Sequence, residues 1–405
     1  MIDLKAARAN PEPVRAALAR KGAAEAFDTL LEADERWRAL VPRADELRAR
    51  TKLKGKPTPE QLEELQAVKT ELKEVEEALA AAEAERDAAL ALVPNPPDDA
   101  APDGDTEDDA VELRHFGEPT PSDGAREASE IGRFELERAA RLSGSRFGYL
   151  VGDTALLALA LYRFALDHVG RAGFIPVLPP VLVREEAMVG TGFFPTERSN
   201  IYALEADDLY LTGTSEVALA GMHTGEILEA ADLPIRYAGF STCFRREAGA
   251  AGKDTRGMFR VHQFNKVEMF VFTRPEDSGE EHDRMVALEE EFLQALGLPY
   301  RAVDVAAGDL GAPAVRKIDL EAWFPSQGRY REVTSCSNTT DFQARRLGIR
   351  WRSPAGLEPP HTLNGTVVTD RAVLAILENF QGDVPDVLKP FGAPDRIASE
   401  VHPSG

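Results

Sequence analysis

The sequence predicts an α+β protein, in which an antiparallel β-sheet domain flanked by helices follows an N-terminal helical-hairpin coiled coil. Two observations lead to this class. Residues from about 25 to 93 are rich in Ala, Leu, Glu, Lys and Arg, with apolar residues at alternating spacings of three and four. Beyond them, strand-like runs such as VEMFVFT alternate with helical patterns such as DRMVALEEEFLQAL. Short turns between some neighbouring strand-like runs favour antiparallel pairing.

Composition excludes several classes of protein. The chain has 405 residues and a formal net charge of −22, which argues against non-specific nucleic-acid binding but leaves room for a local basic face. Two cysteines, Cys243 and Cys336, are too few for a disulfide framework or a zinc site. The histidines are scattered, so a metal held by His or Cys is not expected. With no bilayer-length apolar run and no signal-peptide pattern, we expect a cytoplasmic protein of two or three domains.

Two apolar seams separated by KGKPTPEQ predict the arms and the tip of an antiparallel hairpin. Pro42 lies inside the first arm and predicts a kink there. The first seam consists of Leu30, Ala33, Trp37, Leu40, Ala44 and Leu47. The second seam consists of Leu65, Val68, Leu72, Val75, Leu79, Ala82 and Ala89.

Basic residues concentrate toward this tip, whereas acidic residues dominate the base of the second arm. A basic tip suits contact with nucleic-acid phosphates. A solvated face, a spacer or a dimerising coiled coil explains the same pattern. The candidate phosphate-binding residues at the tip are Arg48, Arg50, Lys52, Lys54 and Lys56.

A Pro- and Asp-rich segment, PNPPDDAAPDGDTEDDA, separates the helical part from the rest of the chain. This composition predicts a linker. We therefore expect an N-terminal domain over residues 1–98, an acidic linker over 99–112 and the sheet domain over 113–405.

No glycine-rich nucleotide-binding loop is present, since neither G-x-G-x-x-G after a strand nor a Walker A pattern occurs. A nucleotide would therefore be held by side chains on a sheet. The stretch FRREAGAAGKDTRGMFRVHQFNKVE offers such side chains, because strand alternation places Arg245 and Glu247 on one face. The same alternation aligns Arg260, His262, Phe264, Lys266 and Glu268 in its second half.

These residue types match the parts of a nucleotide. Arginine binds phosphate with two parallel hydrogen bonds, Phe264 can stack on a base, and a glutamate accepts from an amine. Cross-strand salt bridges on a solvated face would explain the Arg and Glu residues, but not the aromatic ring among them.

Three further stretches carry polar residues where a core would be apolar. LTGTSEVAL places Thr214 and Glu216 between a strand and a helix, where a helix cap is the alternative explanation. REVTSCSNTTDFQARR contains Glu332 among many hydroxyls, for which a hydrogen-bonded loop is the alternative. TLNGTVVTDRAVLAILENF opens an apolar helix with Arg371, and an arginine there opposes the helix dipole, so it is expected to face an anion. Asp370, directly before it, is a potential charge partner.

Together these stretches resemble the seryl-tRNA synthetases, members of class II of the aminoacyl-tRNA synthetases. The resemblance covers nearly the whole chain, and each motif is weak alone, but their order and spacing are highly specific. The stretches that carry it are MIDLKAARANPEPVRAALARKG and the helical arm, GSRFGYL, GFIPVLPPVLV (motif 1), TGTSE, FRREAGAAGKDTRGMFRVHQFNKVEMF (motif 2), REVTSCSNTTDFQARR and NGTVVTDRAVLAILENFQ (motif 3).

The resemblance implies a seven-stranded antiparallel catalytic sheet, an N-terminal arm that grips tRNA, and a homodimer formed through motif 1. It implies that Arg245 holds the α-phosphate of ATP and the reacting carboxylate, while Glu247 recognises the adenine amino group. The implied ATP-binding residues are Arg245, Glu247, Arg260, Phe264, Glu332, Ser335 and Arg371, of which Arg245, Arg260 and Arg371 are catalytic. The implied serine-binding residues are Thr214, Glu216, Arg245, Glu268, Asn364 and Thr366. Glu332 and Ser335 would hold a Mg²⁺ or Mn²⁺ ion.

The implied activity is serine–tRNA ligation, in which ATP activates L-serine to seryl-adenylate and the seryl group passes to the 3′ end of tRNA(Ser), with tRNA(Sec) as an additional candidate. Neither a membrane nor DNA is expected as a partner. Three alternatives stay open: a paralogue acting in resistance or biosynthesis, a homologue that loads amino acids onto carrier proteins, and a catalytically inactive binding protein. The carrier-protein homologues lack the helical arm, and the intact arginines argue against an inactive protein.

Overall fold

The computed structural model describes residues 1–52, 58–248 and 257–397, and the chain divides into two compact units, Met1–Pro96 and Pro97–Gly405. The first unit is helical and the second combines a large sheet with helices, which confirms the predicted α+β class. The helices are α1 (Leu4–Ala9), α2 (Pro11–Ala19), α3 (Ala24–Arg50), α4 (Pro59–Leu92), α5 (Ala128–Ile131), α6 (Leu136–Ser143), α7 (Asp153–Arg171), α8 (Glu185–Thr191), α9 (Glu216–Gly221), α10 (Ser278–Leu296), α11 (Phe342–Arg346) and α12 (Asp370–Phe380).

The strands belong to the second unit. They are β1 (Val111–Phe116), β2 (Phe134–Glu135), β3 (Tyr149–Leu150), β4 (Ile175–Val177), β5 (Leu182–Val183), β6 (Tyr202–Leu204), β7 (Leu209–Leu211), β8 (Ile227–Leu228), β9 (Ile235–Phe244), β10 (Gln263–Thr273), β11 (Tyr300–Asp304), β12 (Arg316–Phe324), β13 (Arg329–Thr340), β14 (Arg350–Ser353), β15 (Gly356–Glu358) and β16 (His361–Thr369). Among the described residues, no helix combines the length and the apolar character needed to cross a membrane.

The predicted hairpin is formed by α3 and α4. Its seam is apolar, since Leu47 of α3 and Val68 of α4 are buried. α3 continues through Pro42 as one helix. α4 begins with a reciprocal cap, in which Thr58 and Gln61 bond each other's backbone N–H groups, followed by proline at the first helical position.

The main sheet of the second unit has the strand order β1-β11-β12-β13-β16-β10-β9-β4. Neighbouring strands are antiparallel except at one edge, where β4 pairs parallel to β9. The implied seven-stranded antiparallel sheet is therefore extended by one parallel strand, because the apolar motif 1 stretch supplies β4.

Alternation along β10 separates the core from the polar face of this sheet. Val267, Met269 and Val271 point into the main apolar core, to which α7, α10 and α12 also contribute. Lys266 and Glu268 point the other way, into a polar cavity. The side of β10 that carries Lys266 and Glu268 also packs against α9 and α11 at Phe270 and Phe272, so the cavity occupies only part of that face.

The segment predicted as an acidic linker packs against the second unit. Asp98 N–H donates to Val315 O at 2.8 Å, and Ala307 N–H donates to Pro102 O at 2.8 Å. Ala101 is buried in a small cluster that includes Val305. The boundary between the two compact units falls after Pro96, and β1 begins within the predicted linker.

Candidate active site

A cavity of about 340 Å³ lies on the polar face of the main sheet. It gathers every residue that the sequence predicts for ATP, serine or metal binding, although these residues come from distant parts of the chain. They are Thr214, Glu216, Arg245, Glu247, Arg260, Phe264, Glu268, Glu332, Ser335, Asn364, Thr366 and Arg371.

The motif 2 residues reach the cavity in a different way from the one expected. The strand alternation proposed for Arg245 and Glu247 is wrong, because β9 ends at Phe244 and Glu247 has a positive φ of 52°. Arg260 likewise precedes β10, which begins at Gln263. Backbone hydrogen bonds hold this irregular segment in place: Arg245 N–H donates to His262 O at 3.0 Å.

The three predicted catalytic arginines have different contacts. Arg245 Nε donates to Gly213 O at 3.2 Å, and its guanidinium lies 5.4 Å from the Phe264 ring centroid. Arg260 Nη1 donates to Glu247 Oε2 at 2.7 Å, which makes an ion pair of two predicted ATP ligands.

Arg371 is the second residue of α12, and its Nη1 donates to Glu332 O at 3.0 Å. Its guanidinium also lies 4.6 Å from the Phe259 ring centroid, a cation–π contact that helps to hold the side chain in the cavity. Asp370 does not neutralise it, because the Asp370 carboxylate bonds Tyr162 Oη and, at 3.1 Å, Asn265 N. Burial raises the pKa of Asp370 to about 7.

Glu332 and Ser335 share the cavity because of a β-bulge. Residues three apart on a regular strand point to opposite faces. In β13, Thr334 pairs with Leu320 and Glu332 pairs with Glu321, so Val333 is an extra residue that reverses the alternation. Burial raises the pKa of Glu332, but Arg371, Lys317 and Arg245 outweigh this and leave it lowered.

Glu268, one of the residues predicted to bind serine, is buried and contacts the cavity residues Thr366 and Lys266. Thr366 Oγ1 donates to Glu268 Oε2 at 3.1 Å, and Lys266 Nζ forms an ion pair with the same oxygen. Lys266 Nζ also donates to Thr214 Oγ1 at 2.7 Å. A second bulge, at Val367 of β16, puts Thr366 opposite Glu268.

Glu216 is the second buried carboxylate of this region. Its Oε1 accepts from Asn364 Nδ2 at 3.1 Å and from Gln343 Nε2 at 2.7 Å. Burial and the nearby charge of Glu268 raise the pKa of Glu216 to about 7. The helix-cap alternative for Thr214 accounts for one bond only, from Glu216 N–H to Thr214 Oγ1 at 3.2 Å.

Several cavity residues escaped prediction. Lys317 lines the cavity, and its Nζ lies 3.2 Å from Asp319 Oδ2. Burial lowers the pKa of Lys317, but the charges of Asp319 and Glu332 outweigh this and raise it. Strand alternation predicts Lys266 on the same face as Phe264 and Glu268 but assigns it no ligand, whereas Phe259 gives no signal in the sequence.

The donor set for a divalent ion consists of hard oxygen atoms. Among the described residues, no group of three or more His, Cys, Asp or Glu side chains is arranged as a metal site. The Glu332 carboxylate and the Ser335 hydroxyl nevertheless fit Mg²⁺, which prefers one or two protein oxygens together with substrate phosphates.

At the tip of the hairpin, the predicted basic residues fall into two groups. Arg48 Nε lies 2.9 Å from Glu76 Oε1, and Arg50 Nη2 lies 3.2 Å from Glu64 Oε1, so both arginines have carboxylate partners on α4. We refer to Lys52, Lys54 and Lys56 as the tip lysines. Lys52 is exposed, whereas Lys54 and Lys56 lie outside the described residues.

Both units of the chain match models of known protein families. Residues 201–380 match the family model "tRNA synthetase class II core domain (G, H, P, S and T)", and residues 1–97 match "Seryl-tRNA synthetase N-terminal domain". The serine–tRNA ligase of Acidothermus cellulolyticus is 50% identical over 416 residues, covering 99% of each chain.

Solved structures agree with these matches. Seryl-tRNA synthetase from Pyrococcus horikoshii, complexed with ATP, has a TM-score of 0.91 and 40% identity, covering 98% of this chain and 99% of that one. Cytoplasmic serine–tRNA ligase from Naegleria fowleri, in complex with AMP, has a TM-score of 0.86 and 35% identity, covering 96% and 95%.

Proposed function

The chain belongs to the seryl-tRNA synthetase family, and from that premise we propose how its cavity binds and activates serine. The protein is an ATP-dependent serine–tRNA ligase. The observation that carries the proposal is the convergence of all the predicted ligand-binding side chains on one cavity.

We propose that the arginine-rich end of this cavity holds ATP. Arg245 lies between the two ends and would contact both the α-phosphate and the serine carboxylate. Arg260 and Arg371 would hold the outer phosphates. Phe264 would stack on adenine, and Glu247 would accept from its exocyclic amine. The Arg260–Glu247 ion pair, 2.7 Å in length, would open as ATP enters.

The opposite end would hold serine. Thr366 donates its hydroxyl proton to Glu268 Oε2 at 3.1 Å, so the Thr366 oxygen and the Glu268 carboxylate would both act as acceptors for the substrate hydroxyl. Glu216 would accept from the substrate ammonium. The amides of Asn364 and Gln343 both donate to Oε1, so Oε2 would be the oxygen that accepts from the ligand. Thr214 would complete the pocket, supported by Lys266.

Glu332 and Ser335 would hold a Mg²⁺ or Mn²⁺ ion together with the phosphates of ATP. Such an ion neutralises phosphate charge and aligns the leaving pyrophosphate. The lowered pKa of Glu332 keeps this carboxylate ionised for that role.

The first step is in-line attack of a serine carboxylate oxygen on the α-phosphorus, which forms seryl-adenylate and releases pyrophosphate. Both reacting groups are anions, so positioning and charge neutralisation by Arg245, Arg260 and Arg371 supply most of the catalysis. No protein general base is required, because the attacking carboxylate is already deprotonated. A hydroxyl at the 3′ end of tRNA then attacks the carbonyl carbon of seryl-adenylate, which forms the seryl ester and releases AMP and a proton.

The helical hairpin is proposed to hold tRNA(Ser), and tRNA(Sec) as an additional acceptor, through its basic tip. Since Arg48 and Arg50 have carboxylate partners, the tip lysines are expected to carry most of the phosphate contacts. The presence of this arm disfavours the carrier-protein alternative. We also propose a cytoplasmic location, to which the two buried free thiols are suited.

A homodimer is proposed through motif 1 at the β4 edge of the sheet. Ile175, Leu178 and Leu182 are 55%, 80% and 38% exposed, and Leu159 of α7 is 61% exposed. An apolar strand at a sheet edge is a site for pairing with another chain. Sedimentation at micromolar concentration should give a dimer, and a stable monomer would refute the assignment.

ATP–pyrophosphate exchange with each of the twenty amino acids, followed by charging of total tRNA, tests the proposed function. Serine should support exchange, Arg245→Ala should abolish it, and Arg141→Ala, which changes an arginine outside the cavity, should leave it intact. Serine-dependent exchange that survives Arg245→Ala would contradict the proposed site.

A further inference from the structure

Gln343, the second residue of α11, contacts the buried carboxylate that we propose as the ammonium ligand. Its side chain is fully buried, with a relative exposure of 0%. Nε2 donates to Glu216 Oε1 at 2.7 Å and to Thr191 O at 3.1 Å. Gln343 does not line the cavity itself, so any effect on a substrate must pass through Glu216.

The orientation of this amide follows from its partners. Thr191 O is a backbone carbonyl and can only accept, so the NH₂ group must face it. On the other side, Thr362 Oγ1 donates to Gln343 Oε1 at 2.9 Å, and the Thr339 hydroxyl lies 3.5 Å away. A flipped amide would place its oxygen against the carbonyl and against Glu216. Gln343 is therefore fixed as a donor toward Glu216.

We propose that Gln343 is a positioning residue for serine binding, which holds Glu216 ionised and oriented so that its second carboxylate oxygen accepts from the substrate ammonium. This inference rests on the proposed role of Glu216. The two amides contact Glu216 from different sides. Asn364 lines the cavity, whereas Gln343 is outside it and donates to the Glu216 carboxylate from the protein interior.

The electrostatic surroundings make this donor necessary. Glu216 is surrounded by the charged groups Glu268, Lys266 and Arg245, of which Glu268 favours protonation and the two cations oppose it. Burial brings the pKa of Glu216 to about 7, and the Gln343 hydrogen bond acts to lower it. Without that donor the pKa should rise further, and Glu216 would be protonated over more of the neutral range.

The test measures the KM values for serine and ATP in pyrophosphate exchange from about pH 6 to about pH 8.5. Gln343→Met retains the volume and removes the donor. A hydrogen bond to a charged group is lost, so the serine KM should rise roughly 10- to 100-fold near neutral pH. The ATP KM should change less than about twofold. The rise in serine KM should shrink as pH increases, because Glu216 then ionises without help.

Gln294→Met is the matched control, since Gln294 donates to Tyr300 and lies outside the cavity. It should leave both KM values unchanged. If Gln343→Met does not fold, as judged by circular dichroism, Thr362→Val provides the decision. This variant retains the Gln343 amide but removes the hydrogen bond from Thr362 Oγ1 to Gln343 Oε1. It should give a smaller rise in serine KM with the same pH dependence.

Glu216→Gln distinguishes failure of the inference from failure of its premise. If Glu216→Gln raises the serine KM and Gln343→Met does not, the positioning role is overturned and the proposed site stands. If Glu216→Gln leaves the serine KM unchanged, the proposed role of Glu216 fails, and the inference fails with it. A rise in serine KM in Gln343→Met that is equal at every pH would show that Gln343 does not act through the ionisation of Glu216, and would overturn the inference.

Discussion

The ion pair between Arg260 and Glu247 joins two side chains that we propose hold opposite ends of ATP. Arg260 Nη1 and Glu247 Oε2 are 2.7 Å apart, and the side chains are 26% and 12% exposed. We predict that ATP binding breaks the pair, because adenine and a phosphate would then engage the two groups that now bond each other. The cost of breaking it should therefore appear in the apparent affinity for ATP.

The expected size follows from two opposing contributions. Arg260→Ala removes a charge-assisted phosphate contact worth about 1.5–3 kcal/mol. It also removes the pair, so ATP binding no longer has to break an interaction worth about 1 kcal/mol. The net loss is about 0.5–2 kcal/mol, or roughly 2- to 30-fold in the ATP KM. Glu247→Gln loses the carboxylate and also removes the ion pair, so the same compensation applies to it.

The double variant distinguishes this account from simple loss of two ligands. In each single variant, ATP binding no longer has to break the ion pair, which offsets part of the lost affinity. The double variant lacks the same pair, so this offset occurs once and not twice. The loss in Arg260→Ala/Glu247→Gln should exceed the sum of the single losses by about 1 kcal/mol, roughly fivefold in ATP KM. The measurement is the ATP dependence of pyrophosphate exchange at saturating serine for all four proteins.

The pair between Arg114 and Glu290, at 2.6 Å, supplies a matched control, because neither residue lines the cavity. Arg114→Ala should leave the ATP KM unchanged. Losses in the Arg260/Glu247 double variant that equal or fall below the sum of the single losses would refute the idea that ATP breaks this pair.

Three further predictions concern selectivity, pH and tRNA. Thr366→Val removes the donor to Glu268, and exchange should lose most of its preference for serine over alanine, which we expect to be roughly 10⁴-fold in the unchanged protein; comparable rates with the two amino acids before mutation would contradict the assignment. Burial raises the pKa of Asp370 to about 7, above the unfolded value of about 3.9, so its contribution to stability is present at low pH and is lost as pH rises through that window. The free energy of unfolding should fall less between about pH 5 and about pH 8 in Asp370→Asn than in the parent. Asp383→Asn, at an exposed position, is the control. Identical slopes of unfolding free energy against pH in Asp370→Asn and the parent would contradict this prediction. Replacing residues 27–92 with a short linker should preserve serine-dependent exchange but sharply reduce tRNA charging. Changing the tip lysines to glutamate should weaken charging and flatten its salt dependence by about one log–log unit per lost phosphate contact, whereas unchanged charging in a natively folded variant would show that the tip is unimportant.

The residues that line the candidate site could be predicted from the sequence, because they were chosen by residue type and by the order of the motifs. These two criteria do not depend on whether a segment is a regular strand. Arg371 illustrates this. An arginine in the first turn of an apolar helix opposes the dipole, and the structure places that side chain in the cavity. The apolar seam of the hairpin was equally accessible, because alternating spacings of three and four define one helix face.

Contacts that depend on tertiary packing could not be predicted. Asp370 and Arg371 are adjacent in the chain, which invited the expectation of a charge pair. Consecutive residues on a helix do not face each other, so the Asp370 carboxylate turns to Tyr162 and the β10 backbone instead. The linker prediction rested on composition, and composition does not reveal that Ala101 packs against Val305.

Two β-bulges bring to the cavity side chains that regular strands would separate. A regular β13 would point Glu332 and Ser335 to opposite faces, and a regular β16 would separate Thr366 from Thr369; the extra residues Val333 and Val367 bring each pair to the cavity side. One bulge lies beside the predicted metal ligands, and the other lies beside Thr366 of the predicted serine pocket. Strand periodicity read from the sequence fails at these two positions because the proposed chemistry requires two side chains on one face where the pleat supplies only one.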